Sequence, residues 1–251
     1  MVKFEDMINT IQLGNCYELI KNIPDKSIDL VYIDIPYLLG KGGGNESELS
    51  KRAKKRNNKL IDADITNGID YSIFDELCRI MKNIYIYIWC SRLQLLDFLK
   101  YFIENKKCNY ELLVWCKTNP IPVINNVFLS DIEYCLLFRE KGCKLNDDYN
   151  LKSKWYVSSI NKQDKDKYNH PTIKPLELVK RHILHSTQEN DIVLDCFCGS
   201  GTTCVACKET GRRFIGMEID PEYHKIAVDR LNGITANGQT SIFTDFDNLG
   251  E

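Results

Sequence analysis

Three short stretches hold residue types that could do chemistry on a small ligand. The first is Asp34-Ile35-Pro36-Tyr37, which closes the apolar run 27–34. Proline cannot donate to a β-ladder and forces the residue before it into an extended shape, so a strand here must end. A carboxylate, a backbone carbonyl and an aromatic ring then converge at a strand's carboxyl end, the edge where open α/β sheets bind ligands. A capping Asp beside a buried Tyr explains the same residues without function. The second stretch, 191–203, reads DIVLDCFCGSGTT. An apolar run reaches Asp195, breaks at Phe197, Cys198, Gly199, Ser200 and Gly201, and resumes with helix-compatible residues from Thr202. That is strand, glycine turn, helix. Glycines serve where the chain needs φ > 0 or a ligand approaches its backbone, and the next helix offers unpaired N–H groups. The third is Glu218, ending the apolar run 213–217, where an acid can hold ribose hydroxyls. Residues 191–218 therefore read as a nucleoside-cofactor half-site. Cys204 stands where a dinucleotide fingerprint has its third glycine, so the turn alone leaves an ordinary strand-to-helix corner open.

The elements that must position these residues alternate strand and helix. A strand over 10–13 ends at Gly14-Asn15 and leads into a helix that stops before Pro24. Asn15 suits either an adenine edge or a turn. The run 27–34 is apolar enough for a central strand of a parallel sheet. Further on, a helix including Phe74 and Leu77 leads to a strand over 84–89 with alternating Tyr and Ile. A helix over 91–103, a strand over 111–117, a proline-ruled loop over 118–122 and a strand over 132–138 follow. Residues 142–169 are polar and read as irregular around a Trp-centred segment, 155–160. Pro175 suits the first turn of a helix over 176–186, and Asp220-Pro221 opens a last helix ending at Leu231. Residues 1–9 read as a loose or lightly helical lead-in and 232 onward as a weakly packed tail. The whole, 1–251, is one α/β domain with a doubly wound, mostly parallel sheet.

The segment 38–68 breaks this rhythm. Gly42, Gly43 and Gly44 precede Lys51, Arg52, Lys54, Lys55 and Arg56. The glycines fit a mobile loop and the cations fit phosphate contact, with a solvated helix face as the alternative. Local clustering matters because the chain as a whole, with 33 Lys and Arg against 35 Asp and Glu, is not basic. No run is apolar enough to span a bilayer and the N-terminus lacks a signal-peptide pattern, so a soluble cytoplasmic protein is expected, without membrane contact. The 11 cysteines fit small buried side chains in a reducing compartment. Cys196, Cys198, Cys204 and Cys207 have a spacing that would suit zinc or an iron–sulfur cluster. They surround a glycine turn that metal binding would waste, and no metal is expected.

Taken in order, Asp34-Ile35-Pro36-Tyr37, His170-Pro171-Thr172-Ile173-Lys174-Pro175, the loop from Asp195 to Thr203, and Phe214-Ile215-Gly216-Met217-Glu218 resemble the DNA amino-methyltransferases of adenine N6 and cytosine N4. The order is that of the permuted β class, in which the catalytic DxPY corner precedes the cofactor FxGxG loop. The resemblance runs from Leu13 to Leu231 and implies a Rossmann-like, S-adenosylmethionine-dependent methyltransferase fold with inserted DNA-recognition loops. It implies catalytic roles for Asp34, Ile35, Pro36 and Tyr37. It places Asn15, Asp195, Phe197, Gly199, Ser200, Gly201, Thr202 and Glu218 around the cofactor, with His170, Thr172 and Lys174 near its methionine end. The segment 38–68 becomes a DNA-contacting loop through Lys51, Arg52, Lys54, Lys55 and Arg56, and 139–169 a target-recognition insertion. Trp115, Lys117, Asn119 and Pro120 look like a strand end of adenine-modifying members. Three residues depart from the pattern: Ile35 and Cys196 replace prolines, and Asn15 replaces an Asp.

The implied reaction moves a methyl group from S-adenosylmethionine to N6 of an adenine flipped out of double-stranded DNA. That amine is a poor nucleophile because its lone pair is delocalised into the ring. The Asp34 carboxylate and Ile35 carbonyl, accepting its hydrogens, would favour a pyramidal nitrogen, so positioning and electrostatics supply the catalysis. No cysteine need act as a nucleophile. Flipping costs a few kcal/mol, and Tyr37 is the platform on which stacking returns roughly 1–3 kcal/mol. Asp at position 34 leans toward adenine. Cytosine N4 is the alternative, followed by an RNA or protein-amide N-methyltransferase and a non-catalytic DNA-binding relative. The implied setting is prokaryotic or phage-encoded, with a cognate restriction endonuclease and a homodimer as further partners.

Overall fold

A computed structural model describes residues 2–38, 68–120, 122, 128–160, 167–168 and 172–235. The segment 39–67 with its basic run, residues 169–171 including His170, and the tail from 236 lie outside the described residues. Leu30, Val31, Tyr32 and Ile33 are all buried, as a run apolar on both faces requires. They form β2 (Leu30–Asp34) inside an eight-stranded sheet with β1 (Thr10–Leu13), β3 (Tyr85–Cys90), β4 (Asn109–Lys117), β5 (Ile132–Arg139), β6 (Trp155–Ser158), β7 (Ile192–Asp195) and β8 (Arg213–Glu218). The spatial order is β1-β8-β7-β2-β3-β5-β4-β6. Neighbours are parallel except β5, which is antiparallel to β3 and β4.

The pairing of β2 with β7 decides where a ligand sits. Leu30 lies opposite Val193 and Val31 opposite Leu194. From this pair the chain continues outward in opposite directions, β7 to β8 on one side and β2 to β3 on the other. Such a reversal opens a crevice beyond the strands' carboxyl ends. Asp34 and Asp195, far apart in sequence, end these two adjacent strands.

Alternation along β3 sorts side chains to two core layers. Ile86 and Ile88 join the layer of α3 (Ile73–Ile80) and α4 (Leu95–Leu99), with Phe74, Leu77, Phe98 and Phe102. Tyr85, Tyr87 and Trp89 join the layer of α5 (Leu176–Ser186), α6 (Thr202–Glu209) and α7 (Pro221–Leu231), with Leu178, Val179, Ile183 and Ala227. Spacing explains α3: its buried residues Ile73, Phe74, Leu77 and Ile80 recur at helical intervals. Capping explains α7: Asp220 accepts from the Glu222 and Tyr223 N–H groups, and Pro221 fills the first position.

The structure corrects several details of the sequence reading. Trp155–Ser158, expected to be irregular, is an edge strand parallel to β4, with Trp155 opposite Val114 and Val157 opposite Cys116. Four residues with half-exposed side chains are too short a run to show a period. Of the two forms expected for the lead-in, loose or lightly helical, the structure has the helical one, and it is pinned. It holds α1 (Phe4–Met7) with Met7 fully buried, and Asn9 bonds Phe214 through both its N–H and its side-chain oxygen. Past α4 the helix widens to π form over Lys100–Asn105. Among the described residues no helix is long and apolar enough to cross a membrane.

Candidate active site

The glycine-turn corner is built from the ends of β7 and β8. Gly199 (φ 49°) and Gly201 (φ 75°) take left-handed conformations. A Cβ on Gly201 would stand 3.1 Å from Cβ of Ala227, so the turn needs glycine there for both backbone and packing. Glu218, only 8 % exposed, accepts from the Gly199 N–H at 2.8 Å and the Asp220 N–H at 2.9 Å. One backbone bond to each oxygen fixes the carboxylate plane and leaves acceptor capacity on both. Asp195 is buried and accepts from the Phe197 N–H at 3.1 Å. Burial pushes its carboxyl up to about 7, against the opposing pull of Thr203 and that N–H. Arg230 of α7 reaches under the turn to the Ser200 carbonyl (3.2 Å) and the Thr202 hydroxyl (2.7 Å). Cys204, at the third-glycine position, is accommodated from the other side: a Cβ on Gly216 of β8 would lie 2.8 Å from its sulfur.

The Asp34 corner is a largely buried charge cluster. Lys174 places its ammonium 2.5 Å from Asp34 Oδ2, 3.0 Å from Glu133 Oε2 and 3.2 Å from the Tyr37 hydroxyl. It also lies over the Trp89 ring (5.1 Å to the centroid) and the Tyr37 ring (5.4 Å). Glu133 takes a second ion pair from Lys117 at 2.6 Å and a hydrogen bond from the Tyr37 hydroxyl at 3.2 Å. Against the upward push of burial, the two ammonium groups hold Glu133 down to about 2. Asp34 is raised, because burial outweighs the Lys174 charge. Its other oxygen, Oδ1, is buried and accepts no hydrogen bond. Gln94, 1 % exposed, braces the corner by donating to the Pro36 carbonyl and accepting from the Ser91 and Leu38 N–H groups.

Both corners line one cleft of about 550 Å³, within the usual size of small-molecule sites, roughly 300–1,000 Å³. Of the residues expected from sequence, Asn15, Asp34, Ile35, Pro36, Tyr37, Thr172, Lys174, Asp195, Phe197, Gly199, Ser200, Thr202 and Glu218 line it. Asn15 also caps the short helix α2 (Cys16–Leu19), accepting from the Tyr17 N–H at 2.9 Å. Gly201 sits one step behind the lining, under α7. Lys174, expected beside the methionine end of a cofactor, bonds Asp34 directly. His170, Lys51, Arg52, Lys54, Lys55 and Arg56 lie outside the described residues. Sequence reasoning missed Glu133 and Gln94. Glu133 had a signal: it is a carboxylate near the start of the mostly apolar strand IEYCLLFR. Gln94 had none.

This strand order, with one antiparallel strand and a cleft across the reversal point, defines an S-adenosylmethionine-dependent methyltransferase fold. Comparison with known proteins narrows the class. The chain belongs to the N6/N4 DNA methylase family, whose profile matches residues 28–229. It is similar to the Type II methyltransferase M2.LlaDCHI of Lactococcus lactis subsp. cremoris, with 31% identity over 87% of both chains. It is also similar to the Type II methyltransferase M.HinfI of Haemophilus influenzae, with 30% identity over 92% of this chain and 70% of that one. The M1.HpyAVI–SAM complex superposes with a TM-score of 0.66 at 28% identity, covering 89% of this chain and 98% of that one. The cytosine-N4-specific PvuII DNA methyltransferase has the same TM-score at 18% identity, over 88% of this chain and 85% of that one, a likeness of fold. The protein is thus a DNA methyltransferase with S-adenosylmethionine as cofactor.

Proposed function

We propose that the enzyme methylates the exocyclic N6 of an adenine flipped out of double-stranded DNA. The observation that carries this reading is Asp34 Oδ1, a buried carboxylate oxygen without a donor, on a residue that lines the cleft shared with the glycine turn. A buried acceptor left unpaired costs of the order of 1–3 kcal/mol, so a corner of this kind is made to receive a donor. A primary amine brings two N–H groups. Asp34 accepts one and the Ile35 carbonyl the other, which turns the nitrogen lone pair toward the cofactor side. Asp34 then stabilises the positive charge the nitrogen acquires and holds the proton it must lose. Tyr37 stacks against the base, and its ring is steadied by its hydroxyl bonds to Glu133 and Lys174.

The residues of the other corner fit the cofactor. Glu218, fixed by two backbone N–H groups, would take the ribose hydroxyls, with Phe197 and the glycine backbone beside the adenosine. Asn15 and Asp195 close the site, and Thr172 lines it between the two corners. When bound, S-adenosylmethionine supplies a methyl group already activated by its sulfonium. The basic run Lys51, Arg52, Lys54, Lys55 and Arg56, following the corner in sequence, supports duplex contact through phosphates, and 139–169 supplies target recognition. The Type II names of the relatives support a cognate restriction endonuclease as cellular partner. The test is mass analysis of nucleosides from DNA methylated by the purified protein. N6-methyl-2′-deoxyadenosine as the product supports the reading; N4-methyl-2′-deoxycytidine would replace it with the cytosine reaction at the same corner.

A further inference from the structure

Glu133 lines the cleft from β5, the antiparallel strand that the Asp34–Tyr37 motif does not include. Its carboxylate is nevertheless central to the charge cluster. Lys117 from the end of β4 and Lys174 from the segment before α5 grip it from two sides, at 2.6 and 3.0 Å, and Tyr37 donates to it. Four charged groups thus form a chain, Lys117–Glu133–Lys174–Asp34, with two positive and two negative members. Its end toward the cleft is Asp34, whose second oxygen is free.

We propose that Glu133 is a positioning residue for methyl transfer: it holds Lys174 on Asp34 Oδ2 and cancels that ammonium's charge, so that the anionic oxygen left over faces the amine. This rests on the reading of Asp34 as the amine acceptor. The physical need is plain. Lys174 favours the ionised form of Asp34 against the opposing push of burial, since an opposite charge at hydrogen-bond distance stabilises the charged form. Yet the same ammonium lies beside a nitrogen that becomes cationic during transfer, and like charges at short range in a water-poor cleft repel strongly. A carboxylate on the far side of Lys174 resolves the conflict. It leaves the short bond to Asp34 in place while returning the cluster to neutrality. Tyr37, bonded to both Glu133 and Lys174, ties the stacking ring to the same anchor.

Other groups around Asp34 do not supply this charge. The Asp34 charge raises the Asp195 carboxyl at the end of β7 and the thiols of Cys90 and Cys135, while Glu133 raises Asp34 itself. Lys174 lowers it by its charge and its hydrogen bond, and the Tyr37 hydroxyl adds a smaller pull in the same direction. Replacing Glu133 and replacing Lys174 must therefore move the protonation of Asp34 in opposite directions, which a merely structural role for either residue would not do.

The experiment compares the unaltered protein with Glu133→Gln, Glu133→Asp and Lys174→Gln in methyl transfer to DNA across pH, with cofactor affinity measured alongside. Glu133→Gln should lower kcat at least about tenfold while cofactor affinity changes less than about threefold, because one uncompensated charge acts only on the transition state. Its acid limb should move to lower pH, and that of Lys174→Gln to higher pH. Glu133→Asp, which keeps the charge, should restore the limb of the unaltered protein. Titration of the Asp34 carboxyl by carbon-13 NMR in the free protein should show the same opposite displacements without any turnover. Limbs that stay put, or that move the same way in both variants, would overturn the role of Glu133 while leaving that of Asp34 intact. Absence of transfer by the unaltered protein would overturn both. If Glu133→Gln does not fold, Glu133→Asp and the NMR titration of Lys174→Gln decide alone: an unmoved Asp34 in Lys174→Gln refutes the coupling.

Discussion

Asp195→Asn should make the protein more stable, and increasingly so as the solution becomes more alkaline. The folded chain holds this carboxyl at about 7 against an ordinary 3.8, because burial penalises its charge more than Thr203 and the Phe197 N–H favour it. A group bound more tightly to its proton in the folded state gives stability below its unfolded value and loses it as pH rises through the folded value. Three units at about 1.4 kcal/mol each amount to roughly 4 kcal/mol lost between about pH 4 and about pH 7. Asparagine is neutral in both states and keeps the oxygen that accepts from Phe197. Urea denaturation at about pH 5 and about pH 8 should therefore show the advantage of the variant growing by roughly 2–3 kcal/mol between them. The same carboxyl makes cofactor affinity pH-dependent. A cationic ligand beside Asp195 draws off its proton, so the unaltered protein should bind S-adenosylmethionine more tightly at higher pH and release protons on binding. Calorimetry in buffers of different ionisation enthalpy reads that release, which Asp195→Asn should abolish. Stability profiles that run parallel for the two proteins would show that the burial argument for Asp195 is wrong.

Three further outcomes follow from the geometry of the cleft. Asp34→Ala should keep cofactor affinity within about threefold and lower the transfer rate by about a hundredfold or more, measured by tritiated-methyl incorporation into DNA. Wild-type rates would remove Asp34 from the chemistry. Gly201→Ala should lose at least about 1–2 kcal/mol of stability from its left-handed backbone alone, with a further loss from the 3.1 Å approach to Ala227, read as a lowered Tm and weaker cofactor binding. Gly216→Ala should cost about 1–3 kcal/mol by overpacking the Cys204 sulfur; combining it with Cys204→Ala should recover most of that loss, and strictly additive losses would refute the contact.

The site was legible in the sequence where backbone and chemistry coincide. Pro36 stops a strand, Gly199 and Gly201 turn a corner, and Glu218 ends the next strand; each leaves a local mark. That Asp34 and Asp195 end adjacent strands is a fact of sheet topology, available only through the resemblance until β2 and β7 were seen paired. Glu133 escaped notice because its role depends on Lys117 and Lys174, which come from two other elements. Gln94 braces Pro36 from the segment before α4, a tertiary contact with no local pattern. β6 was missed because a short edge strand takes its identity from the partner it pairs with, not from its own residues. Cys204 seemed to weaken the glycine fingerprint. The space that a third glycine would have opened on the helix is opened on the strand instead, by Gly216.

The last helix and the first strand of the described chain are neighbours. The Leu231 carbonyl, at the end of α7, accepts from Lys208 near the end of α6. His224 of α7 bonds the Ile11 carbonyl of β1, and β1 lies alongside β8. A tether from Gly233 to Asn9 would thus make β8–α7–β1 a crossover between adjacent parallel strands, turning the polypeptide into a closed ring. Cutting that ring between β6 and α5 would leave each strand beside its present neighbours, with the glycine turn now translated before the Asp34 corner. Which motif is read first is then a matter of where the ring is opened, and the cleft is indifferent to it.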